Sequence, residues 1–289
     1  MANGTSLQHI DVLIVGAGLS GIGMACHLTS ECPTKTYAIV EARRDLGGTW
    51  DLFRYPGIRS DSDMYTLGYD FKPWTSDIAI APGAMIKDYI QEAAEEYDVL
   101  RHVTFGRRVV GASWDSDTSR WTVTLDHADD AGNPTGETET TTCNWLQMCS
   151  GYYSYSNPHR PEFPGQVDFA GQIVHPQEWP DDLDYAGKRV IVIGSGATAA
   201  TLIPNMADDC EHITMLQRSP TYFATGRNVQ ELADTLRELD IDETWIHEIT
   251  RRKIIFDGDA RTRASAEYPD LVKAELFKGI REILGEAYD

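Results

Sequence analysis

The sequence predicts an α/β protein with two separate strand–glycine turn–helix units and a helical segment after them. Three observations carry this prediction. The apolar runs Val12–Val15 and Val190–Ile193 have strand length, and each ends in a glycine-rich turn. Each turn opens a stretch whose apolar residues recur at helical spacing. Beyond Asn228 the pattern becomes wholly helical. A length of 289 residues suits two domains. Hydrophobic residues at 42% and charged residues at 24% are ordinary for a folded chain and exclude general disorder.

In chain order, Asp11–Val15 runs into Gly16-Ala17-Gly18-Leu19-Ser20-Gly21. Leu19, Ile22, Cys26 and Leu28 follow at helical spacing, and Pro33 lies just past the expected helix end. Thr36–Glu41 reads as a second buried strand, which completes a βαβ unit. Gly47-Gly48-Thr49-Trp50 and then Arg54–Asp61 mix Gly, Pro and aromatics, so this stretch predicts an ordered loop. Ile86, Tyr89, Ile90, Ala93 and Tyr97 mark one face of a helix over 85–97. Arg107–Trp114 and Arg120–Leu125 read as antiparallel strands. Asp126–Thr142, polar and containing Gly and Pro, reads as the turn that joins the second of them to Thr142–Cys149.

Around Gly151 the composition shifts to Tyr, Ser, Asn and Pro, the expected first domain boundary. A second βαβ start follows: strand Lys188–Ile193, turn Gly194-Ser195-Gly196-Ala197-Thr198-Ala199, a helix to about Ala207 kinked at Pro204, and strand His212–Leu216. Leu232, Leu236 and Leu239 form one helical stripe, and Leu276, Ile280, Ile283 and Leu284 another. The expected division is therefore 1–150, 151–228 and 229–289.

Charge and cysteine usage narrow the function. With 25 basic and 45 acidic residues the net charge is −20, which repels phosphate backbones and anionic headgroups. Nucleic acid and membrane surfaces are therefore not expected partners. No apolar run is long enough to span a bilayer, and no basic-then-apolar signal opens the chain, so a cytoplasmic location is expected. Cys26, Cys32, Cys143, Cys149 and Cys210 are odd in number and include no C-x-x-C pair. That argues against a disulfide framework or a dithiol redox centre, and five small buried side chains are expected. No metal site is expected either.

The two glycine turns carry the chemistry. A strand that ends in such a turn and opens a helix presents unpaired backbone N–H groups, and the positive end of the helix dipole, to a pyrophosphate. A Cβ at Gly16, Gly18 or Gly21 would block the turn, the phosphate approach or the helix–strand packing. Glu41 ends the second strand, where its carboxylate accepts hydrogen bonds from a ribose 2′-hydroxyl. In the second unit Ala199 replaces the third glycine, and the acid's place is taken by Gln217-Arg218-Ser219. A guanidinium there grips a 2′-phosphate that a carboxylate would repel, so this site is expected to prefer NADP. A surface arginine after an ordinary strand is the alternative. Together the two Rossmann-like sites imply FAD plus NADPH, and hydride transfer from nicotinamide to flavin.

One segment adds a family resemblance. Phe169-Ala-Gly171-Gln-Ile-Val-His175-Pro-Gln-Glu-Trp179-Pro180 resembles the F-x-G-x-x-x-H-x-x-x-W-P fingerprint of Baeyer–Villiger monooxygenases, and it lies between the two turns as it does in that family. The stretch from Gly47 to Trp74 resembles the branch containing the ethionamide-activating monooxygenase. The likeness is close over 11–225 and loose over the helical tail. It implies that Gly16, Gly18, Ser20, Gly21 and Glu41 hold the FAD pyrophosphate and ribose, with Gly48, Thr49 and Trp50 beside the flavin. Val109 would contact the adenine end through its backbone. Arg59, Ser60 and Asp61 would lie where the nicotinamide arrives. Gly194, Ser195, Gly196, Ala197, Thr198, Ala199, Arg218 and Ser219 would hold NADPH.

The implied activity is oxygen insertion from O2 next to a ketone carbonyl, or onto a thioether sulfur, through a flavin C4a-peroxide. A cation over the flavin stabilises the anionic species of such chemistry, and a dry site slows loss of hydrogen peroxide. By resemblance Asp61 orients that cation, while on the residues alone it reads equally as a loop-capping aspartate. His175 reads as a linker residue that couples NADPH docking to the flavin domain, or as a direct participant in proton transfer.

Members of the family run to about double this length, so the resemblance implies a truncated chain. It stops short of the rest of the NADP domain, of the arginine over the flavin and of a closing ATG-type segment. Uncovered apolar surface, weak FAD retention and no oxygenase activity are the expectation for such a chain. A flavin reductase or N-hydroxylating monooxygenase, and a non-catalytic nucleotide-binding fragment, are the other readings. Substrate identity and oligomeric state are not legible.

Overall fold

The computed structural model describes residues 9–219, 221–224 and 226–288. The expectation drawn from the first eight residues lies outside this range. The chain is mixed α/β and forms two compact units. One holds the residues up to Tyr55 together with Gly83–Leu183, and the other holds Pro56–Pro82 together with the chain from Asp184 onward. These units cut across the three consecutive ranges read from the sequence, because the loop after Tyr55 packs with the later part of the chain.

The first unit is a six-stranded sheet with helices. Strand β1 (Ile10–Val15) leads to helix α1 (Leu19–Glu31) and strand β2 (Tyr37–Glu41), the expected βαβ. A short helix α2 (Thr49–Leu52) sits in the predicted loop. A second short helix, α3 (Met64–Leu67), belongs to the other unit. Helix α4 (Gly83–Glu96) follows, then β3 (Val103–Phe105), β4 (Arg107–Asp115), β5 (Arg120–Ala128) and β6 (Pro134–Met148). The sheet order is β3-β2-β1-β6-β5-β4. Strand β1 pairs in parallel with β2 on one edge and β6 on the other, and consecutive Val12, Leu13, Ile14 and Val15 are all buried, so its apolar run needs no alternation.

On one face Leu13, Val15, Ala38 and Val40 join Val123, Leu125 and Cys143 in a closed core. Helices α1 and α4 also pack together, with the Cys26 thiol 3.7 Å from the Ala93 carbonyl. Burying a side chain of Leu or Ile size contributes about 1.5–3 kcal/mol, so this seam anchors the glycine turn at the end of β1.

The sequence reading of Asp126–Thr142 as a turn is corrected. Strand β5 runs to Ala128 and β6 starts at Pro134. The true turn is closed by the Asp129 carboxylate, which accepts the N–H groups of Ala131 and Asn133 at 3.0 and 2.8 Å. Asp126 accepts from Thr135 and Gly136, both at 2.9 Å, where the ladder shifts register. From Thr135 to Thr138 the side chains face water, so no apolar alternation was there to read. Threonine-rich pairing with β5 makes the strand instead.

In the second unit β7 (Arg189–Ile193) pairs in parallel with β8 (His212–Leu216), and α5 (Ala197–Met206) connects them. Helix α5 passes through Pro204 and buries Ala199, Leu202 and Met206. Ile191, Ile193 and Leu216 are 54–62% exposed. Helices α6 (Glu231–Glu238), α7 (Glu243–Glu267) and α8 (Pro269–Leu284) supply the predicted helical segment. Its stripes are only partly covered: Leu232, Leu236, Leu276 and Ile280 are half-buried, whereas Leu239, Ile283 and Leu284 are exposed. No described helix is long and apolar enough to cross a membrane.

The five cysteines are free thiols. The expectation that all are buried is corrected, because only Cys26 and Cys143 are. Cys149 and Cys210 are half-buried, and Cys32 is exposed at the end of α1, where the chain turns at the surface.

Candidate functional site

The first glycine turn forms where three strand ends meet. The Gly16 N–H donates to the Val40 carbonyl, and the Cys149 N–H donates to that of Val15, both at 2.8 Å. Gly16 has φ of +106°, and a Cβ there would lie 2.5 Å from the Cys149 carbonyl oxygen. A Cβ on Gly21 would lie 1.9 Å from the Gly16 oxygen. These contacts explain the glycines physically. Gly18 caps α1 in extended backbone without a side-chain hydrogen bond, and the helix has no acid in its first turn. No side-chain cap and no acid in the first turn thus compete with an anion for the positive dipole end. Ser20 is exposed in this first turn.

Glu41 is 8% exposed, and both its oxygens are engaged. Oε2 accepts the Ala17 N–H at 2.8 Å and Oε1 the Arg43 N–H at 2.9 Å. One carboxylate therefore ties the glycine turn to the end of β2. Each oxygen keeps a second lone pair for a ribose hydroxyl.

The Gly47–Trp50 turn closes against this cradle. The Gly47 N–H donates to the Ala17 carbonyl at 3.0 Å, and a Cβ on Gly18 would stand 3.6 Å from the Gly48 Cα. Thr49 and Trp50 begin α2 and are half-buried. Asp51, 7% exposed, bonds Arg43 Nη2 at 2.7 Å and Lys87 Nζ at 2.6 Å, while Lys87 also reaches Asp45 at 2.7 Å. Burial alone would lower the Lys87 pKa, but Asp45 and Asp51 together raise it. Tyr155 is half-buried, with its hydroxyl 3.5 Å from where a Gly48 Cβ would sit. Burial raises its pKa.

Sequence reasoning missed Arg43, Asp51, Lys87 and Tyr155. Asp51 and Arg43 flank the motif residues, a local signal. Lys87 and Tyr155 arrive from distant elements and leave none. Val109 stands on β4 at a register shift, two residues past Arg107. That strand starts beside Gly106, whose N–H donates to the Arg43 carbonyl at 3.2 Å, and Val109 packs against the core cluster that contains Val40.

The second turn repeats the arrangement. Gly194 has φ of +122° and donates its N–H to the Leu216 carbonyl at 2.9 Å. Gly196 caps α5 without a side-chain bond, and Ala197, Thr198 and Ala199 form a first turn without acid. Ser195 Oγ is 2.7 Å from Thr221 Oγ1. Arg218 and Ser219 are exposed just past β8.

The loop Pro56–Pro82 belongs with this second turn. Gly57, φ +75°, lies so close to α5 that a Cβ would stand 2.1 Å from Asn205 Nδ2. Arg59 pairs with Pro82 in an antiparallel bridge and is exposed. Ser60 is 2% exposed, and its Oγ accepts the Ala81 N–H at 3.2 Å. Asp61 is exposed, and it is Asp63 that caps α3, accepting the Thr66 N–H at 3.0 Å.

His175, in the first unit, caps the turn Pro176–Glu178, with Nδ1 accepting the Gln177 N–H at 3.2 Å. Gln177 in turn donates to the Ser154 carbonyl at 2.6 Å. Burial, then the nearby Arg160 charge, lowers the His175 pKa. Gly171 leaves room for the Phe169 ring, whose atoms would stand 2.6 Å from a Cβ.

The structure thus gathers Gly16, Gly18, Ser20, Gly21, Glu41, Gly48, Thr49 and Trp50 in one cradle. Gly194 to Ala199, Arg218 and Ser219 gather at the other, with Arg59 to Asp61 in the same unit. Uncapped helix starts and side-chain-free cradles fit pyrophosphates at both.

Comparison with known proteins agrees with this geometry. An NAD(P)-binding Rossmann-like domain matches residues 14–76. FAD-containing monooxygenase EthA of Mycolicibacterium smegmatis is 48% identical over 283 residues, which cover 98% of this chain and 56% of that protein. Oxidized steroid monooxygenase bound to NADP is 33% identical with a TM-score of 0.62, over 74% of this chain and 40% of that one. Cyclohexanone monooxygenase from Rhodococcus sp. Phi1 bound to NADP+ is 28% identical with a TM-score of 0.61, over 75% and 39%. The chain therefore spans about half the length of these relatives. The flavin-binding monooxygenase-like family matches residues 69–231, more than half of the chain, and the chain belongs to that family.

Proposed function

We propose that the chain binds FAD and NADPH as part of a monooxygenase that inserts one atom of O2 next to a ketone carbonyl or onto a sulfur. The observation that carries this reading is the contrast between two equivalent cradles. A buried carboxylate, Glu41, closes the first, and an exposed guanidinium, Arg218, stands at the second. An acid at this place selects a free ribose and a guanidinium a phosphorylated one. Relatives described as FAD-containing, and structural neighbours holding NADP, support the same pairing.

FAD supplies the hydride acceptor and the oxygen chemistry when bound. This chain's residues bind and orient. Gly16, Gly18, Ser20 and Gly21 present α1 to the pyrophosphate, Glu41 takes the ribose, and Val109 lines the adenine end. Gly48, Thr49 and Trp50 flank the flavin, on a turn stiffened by the Arg43–Asp51–Lys87 ion pairs. Residues Gly194 to Ala199 with Arg218 and Ser219 hold NADPH, and Arg59, Ser60 and Asp61 meet its nicotinamide end. Asp61, left out of the α3 cap, is free to orient a cation. His175 acts as a positioning residue, since its Nδ1 is committed to the turn that it caps. Residues 1–150, apart from the loop that carries Arg59–Asp61, then serve FAD and 151–228 NADPH, with 229–289 as a helical addition.

The test is spectroscopic. Purified chain is titrated with FAD, the flavin spectrum is read with FAD still in excess, and the mixture is exposed anaerobically to NADPH or NADH. Saturable perturbation of the flavin spectrum, and bleaching that favours NADPH by about tenfold or more, is the expected result. In Arg218→Ala that preference should collapse. No spectral perturbation at any FAD concentration, or equal response to both nucleotides, overturns the reading. Flavin that bleaches, with no ester or sulfoxide from ketone or thioether under air, identifies a reductase instead.

A further inference from the structure

The loop Pro56–Pro82 is held by residues far along the chain. Asn228 grips the Ile80 backbone at both ends: Oδ1 accepts its N–H at 2.6 Å, and Nδ2 donates to its carbonyl at 2.9 Å. On α7, Arg251 Nη1 donates to the carbonyls of Tyr65 and Gly68 at 3.2 and 3.4 Å. The Trp74 N–H donates to His247 Nδ1 at 3.4 Å. Trp74 is built rigidly into the loop, because its indole N–H donates to the Ile78 carbonyl at 2.7 Å. The next residue, Ala79, accepts the Met64 N–H at 2.8 Å, at the start of α3 and three residues from Asp61.

His247 is 2% exposed and Thr250 fully buried. Because Nδ1 accepts, the neutral ring carries its hydrogen on Nε2. Among the described residues neither that Nε2 nor the Thr250 hydroxyl has a hydrogen-bond partner. An apolar ring would fill the same space without stranding a buried donor, so packing alone does not account for a histidine here.

We propose that His247 is a positioning residue: its neutral imidazole pins Trp74, holding on α7 the loop that carries Arg59–Asp61, and protonation releases that hold. The purpose of the loop rests on the reading above; the clamp does not. A protonated Nδ1–H would face the Trp74 N–H, placing two donors against each other. The charged groups around the ring are Arg251 and Glu248 on α7 and Asp63 and Asp70 from the loop. Burial, then Arg251, holds the imidazole below its ordinary pKa, and the three carboxylates oppose this more weakly. The native state thus prefers the neutral ring. The clamp is present above the ordinary histidine value of about 6.5 and is lost as pH falls through the lower folded value.

Hydrogen–deuterium exchange of the full chain, read by mass spectrometry and corrected for intrinsic exchange, tests this at about pH 7.5 and at the lowest pH at which β1 and β2 remain protected. Peptides from 56–82 should exchange about tenfold faster at the lower pH, while those of β1 and β2 stay protected. His247→Asn, which keeps an acceptor but does not titrate, should show protection independent of pH. His247→Phe should leave the loop exposed at both. Equal protection of the wild-type loop at the two values, or a pH response persisting in His247→Asn, overturns the clamp. Should His247→Phe fail to fold, the Asn variant decides. NADP+ affinity that stays constant while the loop is released overturns the loop's assigned purpose and leaves the clamp standing.

Discussion

Glu41 carries two loads with one carboxylate, since it accepts the Ala17 and Arg43 N–H groups that fix the turn and the strand end. Glu41→Gln keeps the shape but turns an NH2 toward one of those donors. Denaturant unfolding of the cofactor-free chain should show a loss of about 1–3 kcal/mol, separate from any effect on flavin binding. Gly21→Ala meets a carbonyl at 1.9 Å and should abolish the spectral perturbation on titration with FAD. These residues were legible in the sequence because local spacing specifies them. The aspartates of the Arg59–Asp63 run were not: a capping role and a site role look alike in a string, and only the fold shows Asp63 capping while Asp61 faces water.

Among the elements, the Gly47–Trp50 turn depends on a buried ion network more than on its own sequence. Asp51→Asn leaves Arg43 and Lys87 without their shared carboxylate. We expect a loss of about 2–3 kcal/mol, less than for a fully buried pair because Lys87 keeps 29% of its side-chain surface. Thermal melts of the apo chain would measure it. The network was invisible beforehand, since Lys87 lies on α4. Strand β6 was misread for a different reason. Its first part is polar on both sides, and periodicity reports burial, not pairing. By contrast β7 and β8 were read within a residue, because their apolar runs are bounded by turn residues.

For the molecule as a whole, apolar surface is the feature with a measurable outcome. Ile191, Ile193 and Leu216 stand on the two-stranded pair at 54–62% exposure. Exposed apolar sheet surface promotes association. The double variant Ile191→Thr, Ile193→Thr should lower light scattering of concentrated chain, while shifting its unfolding free energy by only about 0.5 kcal/mol per site. A fall in stability of several kcal/mol would show that these side chains are covered in solution. The α/β architecture and the helical tail were readable from pattern. The assignment of Pro56–Pro82 to the second unit was not, because it depends on contacts with Asn205, Asn228 and His247 that no spacing rule encodes.

The register that joins Ile10 to Cys143 also dictates an order of events during synthesis. Strand β1 leaves the ribosome before its neighbour β6, which is translated only after the whole β4–β5 hairpin. Until then its Val and Ile backbone groups have an open edge. Closing so long a loop is slow compared with zipping the hairpin, so the meander is expected to form before it pairs with β1. Slowed elongation between the two would prolong the vulnerable interval, and chaperone dependence should track that delay.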